Sequence, residues 1–396
     1  MDAKYFDGKI SRGFISLYTS KVFIRVAAGL LGLFIPIFLY EIFDKNFTYV
    51  AVYYLVGYLL YVLSVAFGAQ FFNKFGFRKA LQLSSVWGAL FFTTFYFINK
   101  DNLFYMLGLS LVVLILFRNF HWLPYHVDFA KFSDGKNRGR QVSLLEATGN
   151  IVGVITPIIA GFIIYKFGFG ILFLIAIFLY LASLIPLITI PRTKEKFVWG
   201  YWETWKKLFS KEFRNKTFAF AADGAEVAVG TIVWPIFIFE ILKGNYMEVG
   251  AVSTLVIGAT VVIQLLTGKY IDKKFSKEKV LKYGSILYAL GWIFKIFIAT
   301  TFHIFVVDFY HRVTGIFTKT PYITMTYDLA ADEGHYVDEF TVLREITING
   351  GKVVMLGLVI LIAAYFSLTW TFILAAIASI FLNLIKPSES HRMRKT

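Results

Sequence analysis

The sequence contains one pattern twice, at a constant separation of 199 residues. Residues 35–43 read Ile-Pro-Ile-Phe-Leu-Tyr-Glu-Ile-Phe, and residues 234–242 read Trp-Pro-Ile-Phe-Ile-Phe-Glu-Ile-Leu. The same offset pairs Glu41 with Glu240, Ala69 with Gly268, Asn73 with Asp272, Glu146 with Glu345 and Asn150 with Asn349. Because the chain has 396 residues, an offset of this size divides it into two homologous halves. Any predicted fold must therefore be built from two similar units.

Each half contains six apolar runs long enough to cross a bilayer, whose hydrocarbon core needs about 20 helical residues. The runs are 18–42, 48–72, 79–98, 103–127, 141–165, 169–190, 217–242, 247–270, 280–299, 302–327, 340–366 and 368–386. Charged residues make up only 16% of the chain, against about 25% in soluble domains. The sequence thus predicts an all-α membrane protein with twelve transmembrane helices in two pseudo-symmetric six-helix bundles.

The net charge of +15 follows the predicted topology. Of the 40 Lys and Arg residues, 28 lie in segments on one side of the predicted membrane and four on the other. Basic residues favour the cytoplasmic side, which predicts a multi-pass protein of the cell's inner (cytoplasmic) membrane with both termini in the cytoplasm. From this distribution we expect the partners of the protein to include membrane lipids but no nucleic acid. We expect a monomer.

The longest connection between apolar runs separates the two halves. We predict a first bundle over 1–190, a linker over 191–216 and a second bundle over 217–396. Five apolar residues of the linker fall on one helical face, namely Val198, Trp202, Trp205, Phe209 and Phe213. Lysines lie elsewhere on the same helix, so the pattern predicts a helix in the membrane interface that tethers the halves. A plain spacer and a regulatory element both remain open as roles for this helix.

The chain has no cysteine, which excludes disulfides and thiolate metal sites. Its six histidines are scattered without the spacing of metal ligands. No metal or cofactor is predicted.

Two loops share a pattern of small, acidic or amide, and basic residues. The first loop carries Ala69, Asn73, Lys74, Gly76 and Arg78, and the second carries Gly268, Asp272 and Lys273. The pattern resembles the signature Gly-x3-Asp-Arg-x-Gly-Arg-Lys of the major facilitator superfamily, which lies between helices 2 and 3 and recurs between helices 8 and 9. In the first copy alanine replaces glycine and asparagine replaces aspartate, and the second copy lacks the turn glycine.

The resemblance implies a gate at these loops. The small residue lets helices approach, and the basic residues anchor the turn to acids at neighbouring helix ends. Asp128 and Asp328, at the inner ends of spans 4 and 10, are the predicted acidic partners. Because its counterpart Asp272 is acidic, Asn73→Asp is expected to be tolerated.

The same resemblance implies transport by alternating access, with helices 1, 4, 7 and 10 around a central cavity. Residues 149–161 also resemble the glycine-proline motif of the family's antiporters, although Thr156 stands where that motif needs glycine. This favours export. Close helix packing by small residues is the alternative reading of this segment.

Ionisable residues at membrane depth normally face a cavity and pair there. The predicted cavity residues are Arg25, Arg118, His121, Trp122, Asp223, Glu226, His311, Arg312 and Lys319. We expect Arg25 to pair with Asp223 or Glu226 across the two halves, and Asp308 to pair with Arg312 one helical turn away. The excess of cations favours an anionic substrate, with an aromatic neighbour available for stacking.

Four carboxylates are predicted candidates for proton coupling, namely Glu146, Asp223, Glu226 and Glu345. The competing interpretation is that Glu146 and Glu345 are gate residues, which pair with Arg344 or with a basic loop.

The favoured function is a secondary active transporter of a small anionic or amphiphilic solute, coupled to protons. No Gly-x4-Gly-Lys-[Ser/Thr] loop is present, so ATP drive within this polypeptide is excluded. A lipid flippase or scramblase, or a non-transporting sensor, is the alternative. A membrane-embedded prenyl- or phosphotransferase is more remote: Asp328-Leu-Ala-Ala-Asp332 superficially fits a magnesium motif, but the first half has no second acidic cluster. The chain is therefore not expected to be an enzyme.

Overall fold

The fold is described from a computed structural model of the chain. The structure describes residues 10–133, 138–193, 197–211, 213–274, 276–332 and 337–385, and only the backbone of 130, 138, 139, 215, 265–274, 327, 328, 330–332, 337 and 338. Within these ranges the regular elements are all helices, which confirms the predicted all-helical architecture.

Among the described residues, the first half contains six helices and the linker one. They are α1 (Arg12–Gly32), α2 (Phe34–Ile42), α3 (Phe47–Phe75), α4 (Phe77–Tyr96), α5 (Leu103–Phe132), α6 (Arg138–Leu187) and α7 (Tyr201–Leu208). The second half contains α8 (Arg214–Ala228), α9 (Trp234–Ile241), α10 (Tyr246–Lys274), α11 (Lys277–Phe294), α12 (Thr301–Asp332), α13 (Val337–Tyr365) and α14 (Thr371–Phe381). Short 3₁₀ turns follow α11 and flank α14.

Eight of the described helical segments are long and apolar enough to cross a membrane. One of them, Arg140–Leu187, has 48 residues, whereas about 20 suffice for one crossing. Its helix α6 is interrupted at Gly168, with φ 77° and ψ 177°, a conformation that is essentially restricted to glycine. This break lies between the predicted runs 141–165 and 169–190. The count of twelve spans nevertheless stays a prediction, since α4, α12 and α14 are not among the eight.

The repeat is visible in matching helix breaks. In the first half, α1 and α2 are separated at Leu33, three residues before Pro36, where the Leu33 N–H bonds to the Leu31 carbonyl. In the second half a π-helical turn spans Val229–Val233, just before Pro235. Proline has no N–H to donate and disturbs the preceding turn. The two prolines are 199 residues apart, so the sequence repeat produces a repeated irregularity in the fold.

The most extensive contacts between the halves are those of α6 with α10 and of α3 with α13. At the α6–α10 contact, Gly161 lies against the Tyr246 carbonyl and Gly250 against the Pro157 carbonyl, with no room for a Cβ at either glycine. The end of the molecule where α2 meets α9 is called the α2 end, and the opposite end, which holds α7, the linker end. Buried apolar clusters join the halves at both ends.

Candidate functional site

In the second half, Asp308 of α12 joins two cations, of which Lys295 is buried and Arg312 partly exposed. Its carboxylate oxygens lie 2.9 Å from Lys295 Nζ and 2.8 Å from Arg312 Nε. The Lys295 and Asp308 side chains are only 2% and 6% exposed, and Lys295 Nζ also lies 3.7 Å from the centre of the Trp234 ring. The predicted Asp308–Arg312 pair is therefore present. Lys295, which the sequence analysis did not select, completes the group.

A second ionic group lies about two helical turns beyond Arg312 along α12. Lys319 Nζ contacts Asp223 Oδ1 at 2.6 Å and Glu226 Oε2 at 2.7 Å, both from α8. The Tyr288 hydroxyl of α11 donates to Glu226 Oε1 at 2.7 Å. Three helices thus bring one cation between two carboxylates. Counted with Asp308, Lys295 and Arg312, the network holds three acids and three strong bases and is neutral in formal charge.

His311 lies between these two groups. Its ring stacks on Tyr288 with centroids 4.2 Å apart and packs edge-on against Trp292 at 4.5 Å. Gly291 makes this packing possible, because a Cβ there would overlap the histidine ring. The buried His311 Nε2 has no hydrogen-bond partner within the described ranges.

The expected pair between Arg25 and an acid of the second half is wrong. Arg25 Nη2 instead contacts Glu146 Oε1 at 3.3 Å, and Nη1 donates to the Leu145 carbonyl. Both partners are on α6, where Gly149 leaves space for the guanidinium. The second-half acids are already held by Lys319. The Glu146 side chain is 67% exposed, so this carboxylate lies in an open environment.

Beside α1, a buried lysine that the sequence analysis missed lies among aromatic rings of α5. Lys21 Nζ is 3.4 Å from His121 Nε2, 4.4 Å from the centre of the Trp122 ring and 4.3 Å from that of Tyr125. No carboxylate of the described residues is within 4.0 Å of it. Lys21 precedes Arg25 by one helical turn in the first apolar run, and this spacing was the signal that could have identified it.

Arg118 of α5 also has no carboxylate partner within the described ranges. Its guanidinium carbon lies 4.6 Å from the centre of the Tyr58 ring and 5.7 Å from that of Tyr61, and Nη1 is buried without a hydrogen bond to any described residue. Lys352 of α13 lies 4.6 Å from the same Tyr58 ring. A cation from each half therefore contacts one tyrosine, an arrangement that depends on packing between helices distant in sequence.

Glu345 of α13 also connects the halves. Its carboxylate accepts hydrogen bonds from the Tyr61 hydroxyl at 3.4 Å and from Asn349 Nδ2 at 3.3 Å. Arg344 Nη1 is 4.0 Å away. The residue is thus placed at the contact between α3 and α13, as a proton site or a gate residue would be.

The first gate loop binds the linker rather than an acid. Asn73 Nδ2 donates to the Phe197 carbonyl at 2.7 Å, and the Phe197 N–H donates to Asn73 Oδ1 at 2.8 Å. Gly76, with φ 87°, forms the turn between α3 and α4, and Ala69 is fully buried. Lys74 is exposed.

The predicted pairing of Asp128 with a basic residue of this loop is wrong. The buried Asp128 carboxylate accepts a hydrogen bond from the Thr193 hydroxyl, and Arg78 donates to the Ile188 carbonyl. Both contacts involve the chain after α6, which occupies the position expected for the ionic pair. A cavity of about 440 Å³ adjoins the loop, lined by Phe75, Gly76, Phe77, Arg78, Lys79, Gln82, Arg192 and Thr193. The side chains of Gly268, Asp272, Lys273 and Asp328 lie outside the described residues.

Comparison with known proteins finds one family and one curated relative. Residues 17–222 match the family described as the Major Facilitator Superfamily. The Bacillus subtilis (strain 168) protein YqgE, described as uncharacterized, is 23% identical over 254 residues. This match covers 62% of the present chain and 58% of YqgE, so it spans less than two thirds of the relative.

Solved structures with similar folds cover nearly the whole chain. A mutant of the peptide transporter POT in complex with alafosfalin is 10% identical, with a TM-score of 0.68 and coverage of 97% of this chain and 95% of that one. A POT family transporter in complex with 5-aminolevulinic acid is 14% identical, with a TM-score of 0.69 and coverage of 94% and 95%. The peptide transporter POT in complex with sulfate is 11% identical, with a TM-score of 0.69 and coverage of 94% and 93%. At these identities the likeness concerns the fold.

Proposed function

Because this chain belongs to the major facilitator superfamily, we propose that it is a secondary active transporter that moves a small anionic or amphiphilic solute. Membership makes it a multi-pass membrane protein of a transporter family rather than of an enzyme family. We further propose that each half, 1–190 and 217–396, moves as one bundle, with 191–216 as the tether. Alternating access would then open the interface at one end while the other end closes.

The proposal of an anionic solute rests on cations that have no acidic partner. In the second half, the three cations of the ionic network are matched by three acids, whereas Lys352 has no carboxylate within 4.0 Å among the described residues. In the first half, Lys21 and Arg118 have no carboxylate within 4.0 Å among the described residues. An unpaired charge at membrane depth costs several kcal/mol, and an anionic ligand would offset that cost. The sulfate complex of a structurally similar transporter is consistent with this chemistry.

Proton coupling is proposed at the Lys319 group. A proton on Glu226 or Asp223 would remove one of the two charges that hold Lys319, leaving the ammonium free to reorient. Glu146 and Glu345 are the further candidates. Glu345 is the better candidate for proton coupling because it contacts residues of both halves, whereas the side chain of Glu146 is largely exposed. We propose that transport is directed outward, because residues 149–161 of α6 resemble the glycine-proline motif of the family's antiporters.

Transport by purified protein in proteoliposomes tests the proposal. A pH-sensitive dye enclosed in the vesicles should report proton movement when candidate anions are added on one side. Arg118→Gln and Lys21→Gln should each lower the anion-dependent signal at least tenfold. Lys166→Gln is the matched control, because Lys166 is an exposed cation of α6 beside the helix break at Gly168. Equal signals in all three variants would refute the assignment of these residues to the anion.

Glu226→Gln separates coupling from binding. The variant should lose proton movement while it still exchanges labelled anion across the membrane, because the amide can accept the Tyr288 hydrogen bond but cannot carry a proton in exchange. Preserved proton movement in this variant would exclude Glu226 as the coupling site.

A further inference from the structure

The ring of Tyr58 is contacted by one cation from each half. Arg118 Cζ on α5 and Lys352 Nζ on α13 each lie 4.6 Å from its centroid, so the two charges are no more than about 9 Å apart. Tyr58 itself is 7% exposed and belongs to the buried apolar cluster that joins the halves. The two cations therefore contact a ring that is itself buried between the halves.

Neither cation has an acidic partner among the described residues. The nearby carboxylate of Glu345 is held by Tyr61 and Asn349, and it is more than 4.0 Å from both cations. Lys352 Nζ contacts the Asn349 amide oxygen at 3.4 Å. Arg118 Nη1 is buried with no hydrogen-bond partner within the described ranges. A strong donor is thus left unsatisfied next to a second positive charge, and contacts with an aromatic ring offset only part of that cost.

We propose that Arg118 and Lys352, placed on the ring of Tyr58, form an oxyanion-binding site that spans the two halves. This inference rests on the proposed function, since the site would take the acidic group of the transported solute. A guanidinium offers paired donors that match a carboxylate, phosphate or sulfate group, and an ammonium adds a point charge.

The site would also couple binding to conformation. Because Arg118 is in the first half and Lys352 in the second, an anion that contacts both binds best when α5 and α13 are close. Such a ligand shifts the population towards the state in which the halves are joined at this level. Without an anion, repulsion between the two cations favours separation.

Thermal unfolding of the purified full-length protein tests the site. The probes are sodium sulfate, sodium phosphate and sodium acetate, each compared with sodium chloride at equal ionic strength. At least one oxyanion should raise the midpoint of the wild type in a saturable way. Arg118→Gln and Lys352→Gln should each raise the half-saturating concentration at least tenfold. Arg118→Lys should restore part of the loss, and Lys166→Gln should behave as the wild type.

Midpoints without anion, together with gel filtration, show whether each variant folds. A folded Lys352→Gln variant with the wild-type response would overturn the proposal, as would a wild type that responds to none of the three oxyanions. The proteoliposome assay separates this proposal from that of transport. Loss of oxyanion binding in the variants, with no transport by the wild type, would support the site and refute the transporter. Transport with an unchanged KM in Lys352→Gln would support the transporter and refute the site.

Discussion

At the scale of single residues, the chemical difference between an amide and a carboxylate decides the role of position 73. The Asn73 side chain makes two hydrogen bonds with Phe197, as a donor to the carbonyl and as an acceptor from the N–H. An ionised aspartate accepts but cannot donate. Asparagine at this position, where the family signature has aspartate, can therefore make both hydrogen bonds with the linker. The linker lies where the signature would place an ionic contact.

Asn73→Asp is thus expected to destabilise the linker contact, contrary to the expectation from the repeat that aspartate would be tolerated. The Phe197 carbonyl would lose its donor and face a negative charge, at a cost of about 1–3 kcal/mol. A lower unfolding midpoint and faster proteolysis after Arg192 should both be measurable. Asn46→Asp is the control, since the Asn46 side chain accepts from the Tyr49 N–H and donates in no described contact. Equal stability of the two variants would contradict this role for Asn73.

The buried pair of Lys295 and Asp308 gives a second residue-level prediction. Asp308→Asn should leave Lys295 charged and almost fully buried without its carboxylate, and lower the free energy of unfolding by about 3–5 kcal/mol. Glu240→Gln is the control, because the Lys45–Glu240 pair is 62% and 44% exposed and worth at most about 1 kcal/mol. Denaturant unfolding in detergent compares the free energies of unfolding of the two variants. A similar decrease in both would mean that the buried pair contributes no more to stability than the exposed one.

These residues also show what the sequence can predict about the site. The Asp308–Arg312 pair was predictable because both residues are on one helix, one turn apart. The partner of Arg25 was not, because it depends on which helix lies beside α1. Lys352 and Tyr58 are almost 300 residues apart in the chain, and no local pattern connects them.

At the scale of helices, α6 and α10 approach each other closely and join the halves towards the α2 end. Gly250 lies against the Pro157 backbone, and the Thr254 hydroxyl donates to the Val154 carbonyl at 2.8 Å. At the same end the Tyr246 hydroxyl donates to Glu41, and Phe34 packs near the Tyr246 ring. Small residues thus allow a helix contact that aromatic and polar groups then extend.

Gly250→Val should force these helices apart, because the added side chain meets backbone that cannot yield. Overpacking of this kind costs about 1–3 kcal/mol and should shift the protein towards opening at the α2 end. The chain has no cysteine, so spin labels at Asp44→Cys and Lys243→Cys report the distance between the tips of α2 and α9. That distance should increase in Gly250→Val. Gly108→Val should leave it unchanged, since nothing lies within 4 Å of a Cβ there.

At the scale of the whole molecule, the repeat predicted two halves but not their contacts. The helix breaks at Leu33 and at Val229–Val233 follow the 199-residue offset, and the break at Gly168 falls between two predicted runs. The charges do not follow the repeat in the same way. Among the described residues of the first half, no such ionic network is found, and aromatic rings surround Lys21 and Arg118. Pseudo-symmetry therefore fixes the helices more strongly than the chemistry of the cavity.

The orientation of the molecule gives the last prediction. The structure places Lys207 at the linker end, and Lys45 and Lys243 at the α2 end, beyond α2 and α9. Most basic residues lie in segments that share the linker end, and charge of this sign is retained in the cytoplasm. A membrane-impermeant thiol reagent should therefore label Lys207→Cys only in inverted vesicles, and Lys45→Cys and Lys243→Cys only in intact cells. Lys207 contacts the Trp199 ring, so Lys206→Cys serves as a second reporter of the same end. Labelling of both linker positions from outside the cell would reverse the topology and, with it, the direction of transport.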